Sequence, residues 1–145
     1  MADIDDLLKG VVVKLQSLPL LSGIPIIQED EADIATKMNK ALAQAGGFCI
    51  VVSIGDGRNE SPANPTPSES LEVLVECGEI PAINRAAGGR KIPSIKVAVA
   101  CIKALHLFSV DTSTTLVFAR REKELEPKTG FIKHTPIFTT KIAHT

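Results

Sequence analysis

Residues 71–79 read Leu-Glu-Val-Leu-Val-Glu-Cys-Gly-Glu. Leu71, Val73, Val75 and Cys77 alternate with Glu72 and Glu76. In an extended chain successive side chains point to opposite faces, so one face of this strand is core and the other partly polar. Upstream, 48–54 (Phe-Cys-Ile-Val-Val-Ser-Ile) is almost continuously apolar. That pattern predicts a central strand covered on both faces. Between the two, 55–70 is polar and carries Pro62, Pro65 and Pro67, and it reads as a long loop. Such a length within a compact domain marks a functional or mobile segment.

Helices and shorter strands flank this pair. In 3–18, Ile4, Leu7, Leu8, Val11, Val12, Leu15 and Leu18 recur at helical spacing, with Asp3 placed to cap and Pro19 placed to stop the helix. Residues 24–30 predict a short strand, and Pro25 suits an edge or a strand start. A second helix is expected at 33–45, with the stripe Ile34, Met38, Ala41, Leu42 and Ala45, and Gly46-Gly47 ends it. Residues 80–93 form a second loop, with Pro81, Asn84-Arg85 and Gly88-Gly89-Arg90-Lys91. A third helix is expected over 94–108, with Ser94 as N-cap. Asp111-Thr112-Ser113 then predicts a turn, 115–121 a strand, Glu122 to Gly130 a charged turn, and 131–142 a last strand bent or interrupted at Pro136. The order is α-β-α-β-β-α-β-β. It predicts one α+β domain, with three helices on a mostly antiparallel sheet of about five strands and the last two strands paired as a hairpin.

The third helix is apolar on nearly every side. At about 100° per residue, Lys96, Lys103 and His106 share one narrow sector. Ile95, Val97, Ala98, Val99, Cys101, Ile102, Ala104, Leu105 and Phe108 occupy the rest. Contact with one sheet covers only one stripe of a helix, so a second cover is required. Either helix 3–18 of the same chain or a neighbouring subunit supplies it.

Composition narrows the function classes. A length of 145 residues suffices for a core without disulfides or metals. The formal net charge of −1 leaves no basic excess to neutralise phosphates, so generic nucleic-acid binding is not expected. Five Phe with no Trp or Tyr give little stacking surface for bases or sugars. Cys49, Cys77 and Cys101 are odd in number, widely spaced and set in apolar runs, which predicts buried reduced thiols and a cytoplasmic setting. The acidic start lacks the basic region of a secretory leader. No apolar run reaches the roughly 18 residues of a membrane span, so no membrane partner is expected.

Readable chemistry is sparse. Gly55-Asp56-Gly57 follows a strand as a dinucleotide fingerprint does, but Glu60 stands where the third glycine belongs. Gly88-Gly89-Arg90-Lys91 precedes a helix without completing a P-loop. His106, His134 and His144 share no ligand spacing, and no paired Cys motif exists for zinc. No nucleophile elbow or metalloprotease motif is present, and Glu72, Glu76, Glu122, Glu124 and Glu126 read as solvated carboxylates. Neither catalysis, nor a cofactor, nor a metal is expected.

The stretch from 71 onward has a recognisable form. LEVLVECGEIPAINR precedes a Gly-rich AAGGRK loop, then a helix ending ALHLF, then two strands, the last rising from GFIKHTPIFTTKI. With the opening DIDDLLKGVVVKLQSL helix, this resembles the phage and prophage tail terminator (tail completion, head-tail joining) proteins. Its sharpest parts are Glu79 to Arg85 and Lys103 to His106. The resemblance implies a structural protein that assembles as a homo-oligomeric ring, often a hexamer, to cap the tail tube or join it to the neck. The partners implied are further copies of the chain and the tube and neck proteins. The location implied is the bacterial host cytoplasm and the virion. Arg58, Asn84, Arg85, Arg90 and Lys91, in the two long loops, are then candidates for contacts with neighbours. Asn84-Arg85 has a plainer alternative, a strand-end turn with Arg85 in a local salt bridge. A second functional class also stands: a small enzyme or ligand-binding domain whose anion site lies between the 55–70 and 80–93 loops, with Arg58, Arg85 and Arg90 converging on one pocket.

Overall fold

The computed structural model describes residues 2–43, 46–59, 62–63, 65–86 and 89–144. Ala45 of the expected helical stripe, Glu60 and Gly88 lie outside them. The chain is α+β. Its main sheet runs β1 (Ile26–Gln28), β2 (Phe48–Asn59), β3 (Ser68–Glu79), β7 (Phe131–Ala143), β6 (Val117–Glu126) across its width. Only the β1–β2 pair is parallel. The helices are α1 (Ile4–Gln16), α2 (Ile34–Ala43), the single turn α3 (Pro81–Asn84) and α4 (Ser94–Leu105). A 3-10 turn at Pro19–Leu21 and a small hairpin of β4 (Ser109–Asp111) and β5 (Thr114–Thr115) complete the order.

Asp3 caps α1 as its sequence predicts, its carboxylate accepting from the Asp6 N–H at 2.8 Å. The helix buries Leu7, Leu8, Val11, Val12 and Leu15. Each such side chain contributes up to about 1.5–3 kcal/mol, and this burial offsets the weak helix propensity of Gly10 and Val11–Val13. α1 and α4 lie on one face of the sheet, over Phe48, Ile50, Val52, Leu71, Val73, Val75, Cys77 and Phe138. α2 covers the other face at the β1–β2 side, with Ile27, Ala41, Cys49 and Val51. The 48–52 segment is therefore buried on both faces, as its continuous apolar run requires.

Several expected boundaries move. Half of the 55–70 segment is strand. β2 continues to Asn59, and Arg58 faces Ser70 after a register shift between Ile54 and Gly57. Backbone pairing needs no apolar side chains, so a hairpin that runs out past the core reads as loop. The same reason extends β6 to Glu126, through residues expected as a charged turn; its side chains are mostly exposed. Pro136 lies on an inner strand. The β3–β7 pairing skips from Leu74/Ile137 to Cys77/His134 without losing register, while Pro136 still faces Arg121 of β6. The missing N–H opens a gap in one ladder and does not break the strand. Pro93, not Ser94, occupies the N-cap of α4, and the helix ends at Leu105.

The second cover of α4 is partial. Val97, Ala98, Cys101 and Leu105 are buried, and α1 packs along one flank. Ile95 and Val99 remain 36% and 39% exposed. No helix among the described residues is long and apolar enough to cross a membrane.

Candidate functional site

The core parity of β3, set by Leu71, Val73, Val75 and Cys77, continues one step to Glu79. A carboxylate therefore stands on the buried face, and Glu79 is 1% exposed. Its neighbours satisfy it fully. Oε2 accepts from Asn84 Nδ2 at 2.6 Å. Oε1 accepts from the Ser94 N–H at 3.0 Å, the Ser94 hydroxyl at 2.9 Å and Arg85 at 3.2 Å. Burial pushes the Glu79 pKa up, but the donors from Ser94, Asn84 and Arg85 outweigh it and hold the carboxyl below its ordinary value. The α4 N-terminus adds its positive dipole end to the same carboxylate. Glu79 thereby ties the end of β3, the α3 turn and the start of α4 into one node.

Asn84 is completely buried. Its Nδ2 also donates to the Ile92 carbonyl at 2.9 Å, and its backbone carbonyl accepts from the Lys91 N–H at 2.7 Å. A Cβ on Gly89 would stand 2.3 Å from the Asn84 carbonyl oxygen, so only glycine permits this close approach. As an interface candidate Asn84 thus offers no side-chain surface. Arg85, half-exposed, makes the local salt bridge to Glu79. Arg90 lies across the backbone of Gly23 and Gly46, with its Nε buried and unpartnered. Lys91 is exposed at φ 61°.

Arg58 is elsewhere. Phe48 of β2 faces Glu79, whereas Arg58 faces Ser70. At about 3.3 Å per residue the strand puts some 33 Å between those positions. Arg58 and the α3 turn that follows Glu79 therefore sit at opposite ends of the sheet. Arg58 does not converge with Arg85 and Arg90, and the expected shared anion pocket does not form. The reason is the extension of β2 and β3, which together turn half of the supposed loop into strand.

Two surfaces take a form that the sequence pattern does not give. The first is the sheet face of β3, β7 and β6 that α2 leaves open. There Arg120 bridges Glu72 at 2.6 Å and Glu122 at 3.6 Å, and Lys133 bridges Glu76 at 2.7 Å and Glu124 at 3.2 Å. These are the carboxylates read as solvated, and they form a cross-strand charge ladder. The second is a shallow groove of about 370 Å³ lined by Leu20, Ile95, Lys96, Val99, Ala100 and Lys103. The i, i+4 spacing of Ile95 and Val99 was its visible signal, but only the position of Leu20 shows that the stripe stays open.

The three cysteines are buried and free. Burial, helped by Glu76, pushes the Cys49 thiol up to about 11. The neighbouring Cys101 thiol and complete burial push Cys77 well above its ordinary value. No group of three or more His, Cys, Asp or Glu among the described residues has metal-binding geometry.

No protein-family model matches the sequence, and no curated protein matches it significantly. Among solved structures, the chain is similar to one described as "Virion of native gene transfer agent (GTA) particle". The likeness covers 95% of each chain with a TM-score of 0.61 and 15% sequence identity. It establishes a shared fold.

Proposed function

We propose that this chain is a structural protein of a phage-type particle, a tail terminator or neck component that caps or joins the tail tube as a homo-oligomeric ring. The observation that carries the reading is the fold likeness to a virion chain over 95% of both lengths. Coverage of that extent, end to end, is what a whole shared domain gives rather than a common supersecondary motif. The finer role, at the end of the tail tube, is supported by the resemblance of residues 71–142 to tail terminators. The open apolar groove on α4 supports association with further protein, because exposed apolar patches mark interaction surfaces.

In this reading the chain binds further copies of itself, six in a hexamer, and the tube and neck proteins. It performs no catalytic step and takes no cofactor, and it passes from the host cytoplasm into the virion. Light scattering coupled to size exclusion, with the chain alone and with tail-tube protein, tests it. A ring-sized mass, or a stable complex with tube ends in electron micrographs, is expected. A chain that stays monomeric and leaves tube ends bare in such a mixture would overturn it.

A further inference from the structure

The helical layer carries opposite charge at its two ends. At one end the first turn of α1 exposes Asp3, Asp5 and Asp6 around Ile4, which is 36% exposed. The Ala2 N–H donates to Thr114 Oγ1, which places this end beside β5. Further along, Gly10 meets Val110 and Lys14 lies over the Phe108 ring, so α1 runs antiparallel to 108–114. Beyond its C-terminus comes Leu20, in the groove with Ile95 and Val99. The length of α1 alone sets about 20 Å between the acidic turn and the groove.

The groove has an apolar floor and a basic rim. Lys96 and Lys103 lie seven residues apart, two turns along the same side of α4, and line it together with Leu20, Ile95 and Val99. Neither lysine has an ion-pair partner among the described residues, and both are exposed. The α1 turn is the matching surface, an exposed isoleucine among three aspartates.

We propose that the groove receives the first turn of α1 from a second copy of this chain, with Ile4 against Ile95 and Val99 and Asp5 and Asp6 against Lys96 and Lys103. This rests on the homo-oligomer of the proposed function and names its contact. Two different patches meet, so the association is head-to-tail, and repetition of such a contact closes into a ring when its rotation permits. A two-fold dimer through the groove would instead oppose lysines to lysines.

Reciprocal charge reversal tests it. Asp5→Lys/Asp6→Lys makes both ends basic, and Lys96→Glu/Lys103→Glu makes both ends acidic. Each variant alone is expected to associate on the order of a hundredfold more weakly than wild type by sedimentation. In an equimolar mixture every contact again joins opposite charges, so oligomers of wild-type mass are expected, with the two variants alternating. The recovery itself shows both variants folded. Where either variant melts below wild type, the neutral pair Asp5→Asn/Asp6→Asn and Lys96→Gln/Lys103→Gln is expected to weaken assembly about tenfold on each side. Variants that assemble like wild type, or folded variants whose mixture stays dissociated, would overturn this contact and leave the ring reading standing. A wild type that is monomeric at all concentrations, alone and with tube protein, would overturn both.

Discussion

Asn84 donates its side-chain amide to the Glu79 carboxylate at 2.6 Å, and neither residue exposes more than 1% of its surface. This pair holds the α3 turn against the end of β3, while Ser94 brings the start of α4 to the same carboxylate. The node fixes the orientation of α4, and hence of the groove on its outer side.

Removing the carboxylate strands buried donors from Asn84 and Ser94 at once. Glu79→Ala is expected to cost about 3–5 kcal/mol in urea unfolding, since it deletes one partner of a buried, charged network. Asn84→Ala is expected to cost about 1–3 kcal/mol. Arg85→Ala should cost about 1 kcal/mol or less, because the Arg85 side chain is 52% exposed and water screens its pair. An Arg85 variant as damaging as the Glu79 variant would contradict this ranking.

Acid should weaken the fold in two steps, both of the same sign. Burial, with Arg121 and Lys123 nearby, holds the His134 pKa below 6.5. The unfolded chain then binds the proton first, so stability falls as pH drops through about 6.5 and below. Glu79 is held below the ordinary glutamate value. Its contribution is complete above the unfolded pKa of about 4.3 and is lost as pH falls through the lower folded value. Melting temperatures from pH 8 to pH 3 should show both declines. His134→Gln should flatten the upper one and Glu79→Gln the lower one.

The thiols should be silent in the native protein. Burial raises Cys49 to about 11, and Cys77 lies well above its ordinary value beside Cys101. A thiol reagent at pH 8 is expected to find almost no reactive cysteine until denaturant is added, and then three. Rapid labelling of the folded chain would place at least one thiol outside the core.

The charge ladder on the open sheet face is expected to add little stability. Arg120 is 52% exposed, so Arg120→Ala should change unfolding free energy by about 1 kcal/mol or less. A larger loss would mean that this face is covered in the folded state under test.

Where the hydrophobic pattern was dense, the fold was legible. The period of Leu7 to Leu15 located α1, the run from Phe48 located the double-covered strand, and the alternation from Leu71 located β3. The pattern failed where strands leave the core. Gly57 to Asn59 and Glu122 to Glu126 pair through backbone groups that sequence polarity does not report. For the candidate site the limit was distance. Arg58, Arg85 and Arg90 are chemically alike, and only the β2–β3 register separates Arg58 from the other two. Glu79 was the readable clue that went unread, because its parity on β3 already placed a carboxylate on the core face.

The ring is the central claim, and mass in solution tests it most directly. Light scattering across a concentration series, alone and with tail-tube protein, should give a discrete multiple of the 15.4 kDa chain, set by ring closure. A mass of one chain at every concentration, with tube protein present and its ends left uncapped, would contradict the account.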